Sequence, residues 1–171
     1  ELRVLPEDFA WQLQHLAQRG FRPVSVEAFQ AMIAGTAPLD PRAVLITFDD
    51  GYEDNLVFAT PALQAARAPA LLFVATGFID RHSRDLWPHG DAEGAGRFLT
   101  AAQVAQIAEA GVTIGSHTVT HPRMTTCADD ATLRHELATS RSTLERLAGR
   151  PVTAFAYPEG DLDDRVADLV R

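Results

Sequence analysis

The chain contains no lysine: its fifteen basic side chains are all arginine, set against 23 acidic ones for a formal net charge of −8. Schiff-base chemistry on a lysine amine is thereby excluded. The acidic balance repels phosphate backbones and anionic lipid, so no nucleic-acid partner is expected. Cysteine is almost absent as well. Cys127 alone can form neither an intrachain disulfide nor a multi-cysteine zinc knuckle. No apolar run approaches the roughly 20 residues of a bilayer span, and Glu1 opens neither a basic region nor an apolar signal core. No membrane span is therefore expected, while a leader removed earlier would leave the compartment open. Biased tracts are also missing. With 46% hydrophobic and 22% charged residues in 171 positions, the expectation is one globular domain over 1–171.

What is present is an alternation of two periodicities. Phe9, Leu13 and Leu16 recur at helical spacing between Pro6 and Arg19, with proline at the start and Gly20 at the stop. Ser25 opens a second short helix that runs to Gly35. From Ala43 onward, apolar and β-branched runs predict strands at 43–48, 70–75, 112–116 and 152–157, with helices between them. Thr100 with Gln103 forms a capping box, and Leu99 with Val104 a hydrophobic staple. Leu133, Leu137, Leu144 and Leu147 stripe a helix over about 130–148 that stops at Gly149. Continuous apolar strands joined through helices imply α/β architecture with a parallel sheet buried on both faces, either open or closed into a barrel. The segment from Gly77 to Arg97 breaks the rhythm and is read as a mobile surface insertion rather than a lid.

Every unusual polar cluster directly follows a predicted strand, the functional end of parallel α/β proteins. Asp49 and Asp50 follow the first, His117 the third, and Tyr157, Pro158, Glu159 and Gly160 the fourth. His117 and His121 are four residues apart. On a strand they would lie roughly 13 Å from each other, too far for one ion; on one tight turn their Cβ atoms come within roughly 5–6 Å. An Asp-Gly turn alone would explain Asp50-Gly51. Two adjacent carboxylates at a buried strand end repel each other, however, unless a cation or a proton separates their roles. Successive strand residues face opposite sides, so one aspartate can ligate while its neighbour stays free as a base. Asp50, His117 and His121 then give two imidazoles and one carboxylate with open positions, the donor set of a catalytic rather than structural zinc. In this reading Asp49 takes a proton from a metal-bound water as it attacks a carbonyl, and a backbone N–H near Glu159 helps hold the oxyanion.

Two segments carry a family resemblance. Thr47-Phe48-Asp49-Asp50-Gly51-Tyr52 and Ser116-His117-Thr118-Val119-Thr120-His121-Pro122 resemble the first and second motifs of the polysaccharide deacetylase family of carbohydrate esterases. The resemblance implies a distorted (β/α) barrel of parallel strands, incomplete in this chain. It implies a metal-dependent hydrolase acting on a linear amide C–N bond, which removes N-acetyl groups from an N-acetylated sugar polymer or oligosaccharide. Asp49 would be the catalytic base; Asp50, His117 and His121 would bind one divalent ion, Zn2+ first and Co2+ or Ni2+ as substitutes. The partner would be an N-acetylated glycan at the cell envelope. Phe155-Ala156-Tyr157-Pro158-Glu159-Gly160 is similar to the third motif, in the form found among poly-N-acetylglucosamine deacetylases, with Ala156 where many members have an arginine that steadies the base. The family's later motifs, including the histidine general acid, are expected beyond Arg171, and a first strand before Pro6. A carbohydrate-binding pseudoenzyme that retains the fold and the metal is the alternative expectation.

Overall fold

The computed structural model describes residues 4–83 and 96–171. His89 and most of the 77–97 segment lie outside the described residues.

Helix α1, Pro6–Gln18, starts on proline, carries Glu7 and Asp8 in its first turn, and buries Leu13. Helix α2, Val26–Ile33, is capped by Ser25, whose Oγ accepts from the Ala28 N–H at 3.2 Å. Between them lies an element that the periodicity does not predict: β1, Arg22–Pro23, runs parallel to β2, Ala43–Val44. The expected strand at 43–48 is in fact two, β2 and β3 (Ile46–Phe48). The chain breaks at Leu45 because the halves have different neighbours, β1 for one and β4, Ala70–Val74, for the other. A π-helical turn over Asn55–Ala59 leads into α3, Thr60–Ala66, which precedes β4.

A single 3₁₀ turn, Thr76–Phe78, follows β4. Helix α4, Ala101–Glu109, begins with the predicted capping box, Gln103 N–H to Thr100 Oγ1 at 3.2 Å and Thr100 N–H to Gln103 Oε1 at 2.8 Å. It leads to β5, Thr113–Ser116. Helix α5, Asp130–Ala148, ends at Gly149 in the left-handed region at φ 66°. The short α6, Asp164–Val170, closes the chain.

Strands β3, β4 and β5 form one parallel sheet in that order, with Phe48 opposite Leu72 and Val74 opposite Ser116. The expected fourth strand at 152–157 shrinks to one bridge, Phe155 with Ser116. Two hydrogen bonds frame it, Ser116 N–H to the Ala154 carbonyl at 2.9 Å and Ala156 N–H to the Ser116 carbonyl at 3.0 Å. Nearby, the Val152 N–H donates to Glu145 Oε1 at 3.2 Å. The result is an arc of parallel strands, an incomplete barrel. All of β4 is buried, as its unbroken apolar run requires. Leu72, Val74 and Ile114 pack with Leu63 of α3, Val104 and Ile107 of α4, and Leu144 of α5; each such side chain contributes about 1.5–3 kcal/mol by leaving water. A second cluster of Met124, Leu133 and Val166, joined by Phe155 and Tyr157, ties α5 and α6 to the segment after Phe155.

The two ends of the 77–97 segment are laddered together. Asp80 N–H reaches the Leu99 carbonyl at 3.0 Å, Phe98 N–H that of Arg81 at 3.0 Å, and Ser83 N–H that of Gly96 at 2.9 Å. The packed arc thus sets the carboxyl ends of β3, β4 and β5 and the residue after Phe155 side by side.

Candidate active site

The carboxyl end of β3 delivers the two aspartates by a backbone reversal. The strand stops at Phe48, and Asp50 adopts φ 68° ahead of Gly51 at φ 86°. Asp49 is exposed while the Asp50 side chain keeps 27% of its surface. The two carboxylates do part, as the sequence suggests, but a left-handed turn separates them rather than the strand pleat. Gly51 is required here, because a Cβ would come within 3.0 Å of Val74 Cγ1 at its positive φ.

The carboxyl end of β5 delivers the histidines. No helical turn forms at 117–121, in keeping with its β-branched residues and Pro122. The loop reverses through two non-glycine residues in the left-handed region, Thr118 at φ 67° and His121 at φ 58°. Such conformations cost of order 1–3 kcal/mol each and persist only where the surroundings over-determine them. Thr118 is fully buried, and its Oγ1 accepts from the His121 N–H at 3.0 Å.

His117 is 3% exposed, and its Nδ1 lies 2.9 Å from the Ala156 carbonyl, which has no proton to give. Nδ1 therefore donates, and Nε2 is left as the lone pair. That nitrogen lies 3.6 Å from Asp50 Oδ1, and His121 Nε2 lies 3.5 Å from the same oxygen. Both separations are too long for a good hydrogen bond. Bonds of about 2.0–2.2 Å around one tetrahedral ion put donor atoms about 3.3–3.5 Å apart, which is the spacing seen. The three donor atoms all lie within 4.8 Å of one another. Electrostatics point the same way. Burial pushes the Asp50 carboxyl above its ordinary range, with Asp49 adding to the rise and the two imidazoles opposing it. Burial likewise holds the His121 imidazole below its ordinary value, against the pull of Asp50. Each group resists its own charge, and a cation among them would lift that penalty from the carboxylate. The donor set fits a divalent ion.

The remaining sequence candidates sit in a 3₁₀ turn, Pro158–Gly160, beside this cluster. Pro158 is buried, and Tyr157 packs edge-on against Phe155 at 5.1 Å rather than standing in the open. Glu159 adopts φ 55°, and its charge is felt at His121. The Gly160 and Asp161 N–H groups go to the carbonyls of Tyr157 and Pro158; among the described residues, that of Glu159 meets no main-chain carbonyl. Of these groups, the Glu159 N–H is the one left for a ligand. Two residues escape sequence reasoning. Glu136 of α5 accepts hydrogen bonds from the 119–120 main chain, and Gly77 lies so close to the Val119 carbonyl that a Cβ would sit 2.6 Å from it. The signal for Glu136 was a carboxylate in the apolar stripe beside Leu133 and Leu137. Gly77 offered none.

The polysaccharide deacetylase family model matches residues 36–171. The chain is 35% identical over 118 residues to the poly-β-1,6-N-acetyl-D-glucosamine N-deacetylase of Escherichia coli (strain K12), a match covering 67% of this chain and 17% of that protein. Over 159 residues it is 26% identical to YxkH of Bacillus subtilis (strain 168), covering 93% of this chain and 52% of the relative. The chain thus spans about half or less of the curated relatives it matches. Among solved structures, the Streptococcus pyogenes deacetylase PplD in complex with acetate superposes with a TM-score of 0.82 at 27% identity, over 99% of this chain and 70% of that one. IcaB from Ammonifex degensii does so with 0.84 at 25%, over 98% and 72%. Both the Asp49-Asp50 turn and the His117–His121 loop fall inside the matched span, and the chain belongs to the polysaccharide deacetylase family.

Proposed function

We propose that this protein is a metal-dependent hydrolase that removes N-acetyl groups from an N-acetylated sugar polymer, with a β-linked N-acetylglucosamine chain as the favoured substrate class. The convergence of Asp50, His117 and His121 on one point, with the exposed carboxylate of Asp49 immediately before Asp50, carries the reading. The Escherichia coli relative, named for deacetylation of poly-β-1,6-N-acetyl-D-glucosamine, supports the substrate class. The family supports action at the cell envelope, and no described helix is long and apolar enough to cross a membrane.

An ion held by these three groups, Zn2+ before Co2+ or Ni2+, would supply a Lewis acid for the acetamide carbonyl and a more acidic water. The rest of the chemistry falls to the chain. Asp49, exposed beside the ligands, accepts the proton of the attacking water. The Glu159 N–H donates to the oxygen on which charge develops. His117, held by the Ala156 carbonyl, keeps one tautomer and so keeps its lone pair directed at the centre. Among the described residues Asp49 enters no ion pair, so none of them replaces the steadying arginine that many family members have where Ala156 stands.

Acetate release from N-acetylglucosamine oligomers by the zinc-loaded protein tests the reading, together with zinc affinity. Asp49→Asn should abolish release with zinc still bound, whereas His121→Ala should lose more than the roughly 10–100-fold in affinity typical of outer-layer changes. Activity within a few-fold of the parent in Asp49→Asn would remove Asp49 as the base. Zinc binding without acetate release in the parent would leave glycan binding as the function.

A further inference from the structure

We propose that Glu136 is a positioning residue for the metal centre, its carboxylate fixing the main-chain path that brings His117 and His121 to one point. The inference rests on the reading of those histidines as metal ligands.

Glu136 lies on the core-facing side of α5, between Leu133 and Ser140, and is 6% exposed. A carboxylate at such a position must find its partners inside the protein. Among the described residues, all of its hydrogen bonds go to the ligand loop. Oε2 accepts from the Val119 N–H at 2.7 Å and the Thr120 N–H at 2.8 Å, and Oε1 accepts from Thr120 Oγ1 at 2.8 Å. Among the described residues no arginine or histidine forms an ion pair with it, so N–H and O–H dipoles alone answer its charge.

The opposite edge of the same loop is held just as closely. Thr76 N–H reaches the Thr118 carbonyl at 3.1 Å, and Gly77 N–H the Val119 carbonyl at 2.8 Å. The two central peptide planes of the four between the histidines, 118–119 and 119–120, are therefore each bound at both edges, oxygen toward the turn after β4 and N–H toward Glu136. One helical turn further along α5, Ser140 Oγ bonds Ser116 Oγ at 2.9 Å, next to His117 itself. Thr118 and His121 hold positive φ at either end of the loop. A segment bent in that way relaxes unless its surroundings hold it. The Thr76–Gly77 edge is main chain, so among substitutions only proline would take away one of its donors. The Glu136 edge rests on one side chain, and its loss frees the path between the two ligands.

The test is Glu136→Gln, which keeps the volume but turns an N–H₂ group toward donors. Zinc affinity should fall by about ten-fold or more, as when a ligand's support is disturbed. The visible absorption of the Co2+-loaded protein should shift as the coordination geometry loosens. Thr120→Val, which removes only the bond to Oε1, should cost about two- to three-fold. Ile107→Val, a lesion in the core away from the loop, should soften the fold and leave both readouts unchanged. Parent-like affinity and spectrum in Glu136→Gln would overturn the inference while the metal reading stands, and so would an equal loss in Ile107→Val. If Glu136→Gln does not fold, unchanged affinity in Thr120→Val overturns it. A parent that binds neither Zn2+ nor Co2+ overturns both.

Discussion

Two neighbouring turns carry non-glycine residues in the left-handed region, and they are held in opposite ways. In the 117–121 loop the strain at Thr118 and His121 is enclosed: Thr118 is buried, and both peptide planes that follow it are bonded on two sides. In the 157–160 turn Glu159 stands at the surface, and among the described residues its side chain is tied only by a 3.5 Å ion pair to Arg123, whose side chain is 65% exposed. Buried main-chain bonds restrict position to a few tenths of an ångström, whereas an exposed ion pair contributes about 0–1 kcal/mol and exchanges readily with water. Ligands that must meet one ion belong in the first kind of turn. Under the proposed function, a polymer that must enter and leave would be better met by the second.

Replacing the glycine packed against the first turn and the glycine within the second breaks the comparison most directly. At Gly77 a Cβ would press 2.6 Å from the Val119 carbonyl oxygen, so Gly77→Ala should cost about 1–3 kcal/mol in thermal or denaturant unfolding and weaken zinc binding as well. Gly160 has no atom within 4 Å of its ideal Cβ but sits at φ 67°. Gly160→Ala should therefore cost about 1–2 kcal/mol, and zinc affinity should be retained. Equal effects on affinity would show that the two turns act as one unit.

Acidity gives an effect of intermediate size. The folded-state pKa of Asp50 is raised by burial, so its contribution to the metal-free fold is full below the ordinary carboxylate range and is lost as pH rises. That of His121 is lowered, so its contribution is present above the ordinary imidazole value and is lost as pH falls. In the metal-free site burial opposes the charge on both groups, while an ion requires Asp50 deprotonated and His121 neutral. The rise in unfolding temperature on adding zinc should thus be larger at pH 8 than at pH 5. A pH-independent rise would exclude these groups as ligands. The smallest effect belongs to the exposed pair: Arg123→Ala should change stability by less than about 1 kcal/mol and leave zinc affinity at the parent value.

Local chemistry was legible in the sequence where a few adjacent residues carry it. Ser25, the Thr100–Gln103 box and Gly149 mark helix ends through contacts three or four residues long, and the structure has them. Asp49, Asp50, His117 and His121 were legible by following apolar strands. The structure brings Asp50, His117 and His121 together and leaves Asp49 exposed beside them. What stayed hidden depends on distant partners. β1 is two residues long and exists only because β2 lies beside it. The break at Leu45 needs two sheets to be known. Glu136 serves a loop sixteen and seventeen residues away, and Gly77 is required by a carbonyl in a different crossover. The manner of the turns was hidden too, since spacing allowed a helical turn at 117–121 where left-handed residues make the reversal.

The bond from His117 to the Ala156 carbonyl also bears on how this site can change over evolutionary time. What position 156 gives the ligand is a main-chain oxygen, and twenty different side chains would offer nearly the same one. Its N–H is spent on Ser116, so proline alone is barred outright by bonding. The side chain there packs partway against Val26, Leu71 and Phe73, leaving size as the other constraint. Side chains of similar size can thus exchange at residue 156 without disturbing the oxygen that orients His117. Orientation of the imidazole and packing against the core run through separate atoms of one residue, so a lineage can vary one while keeping the other.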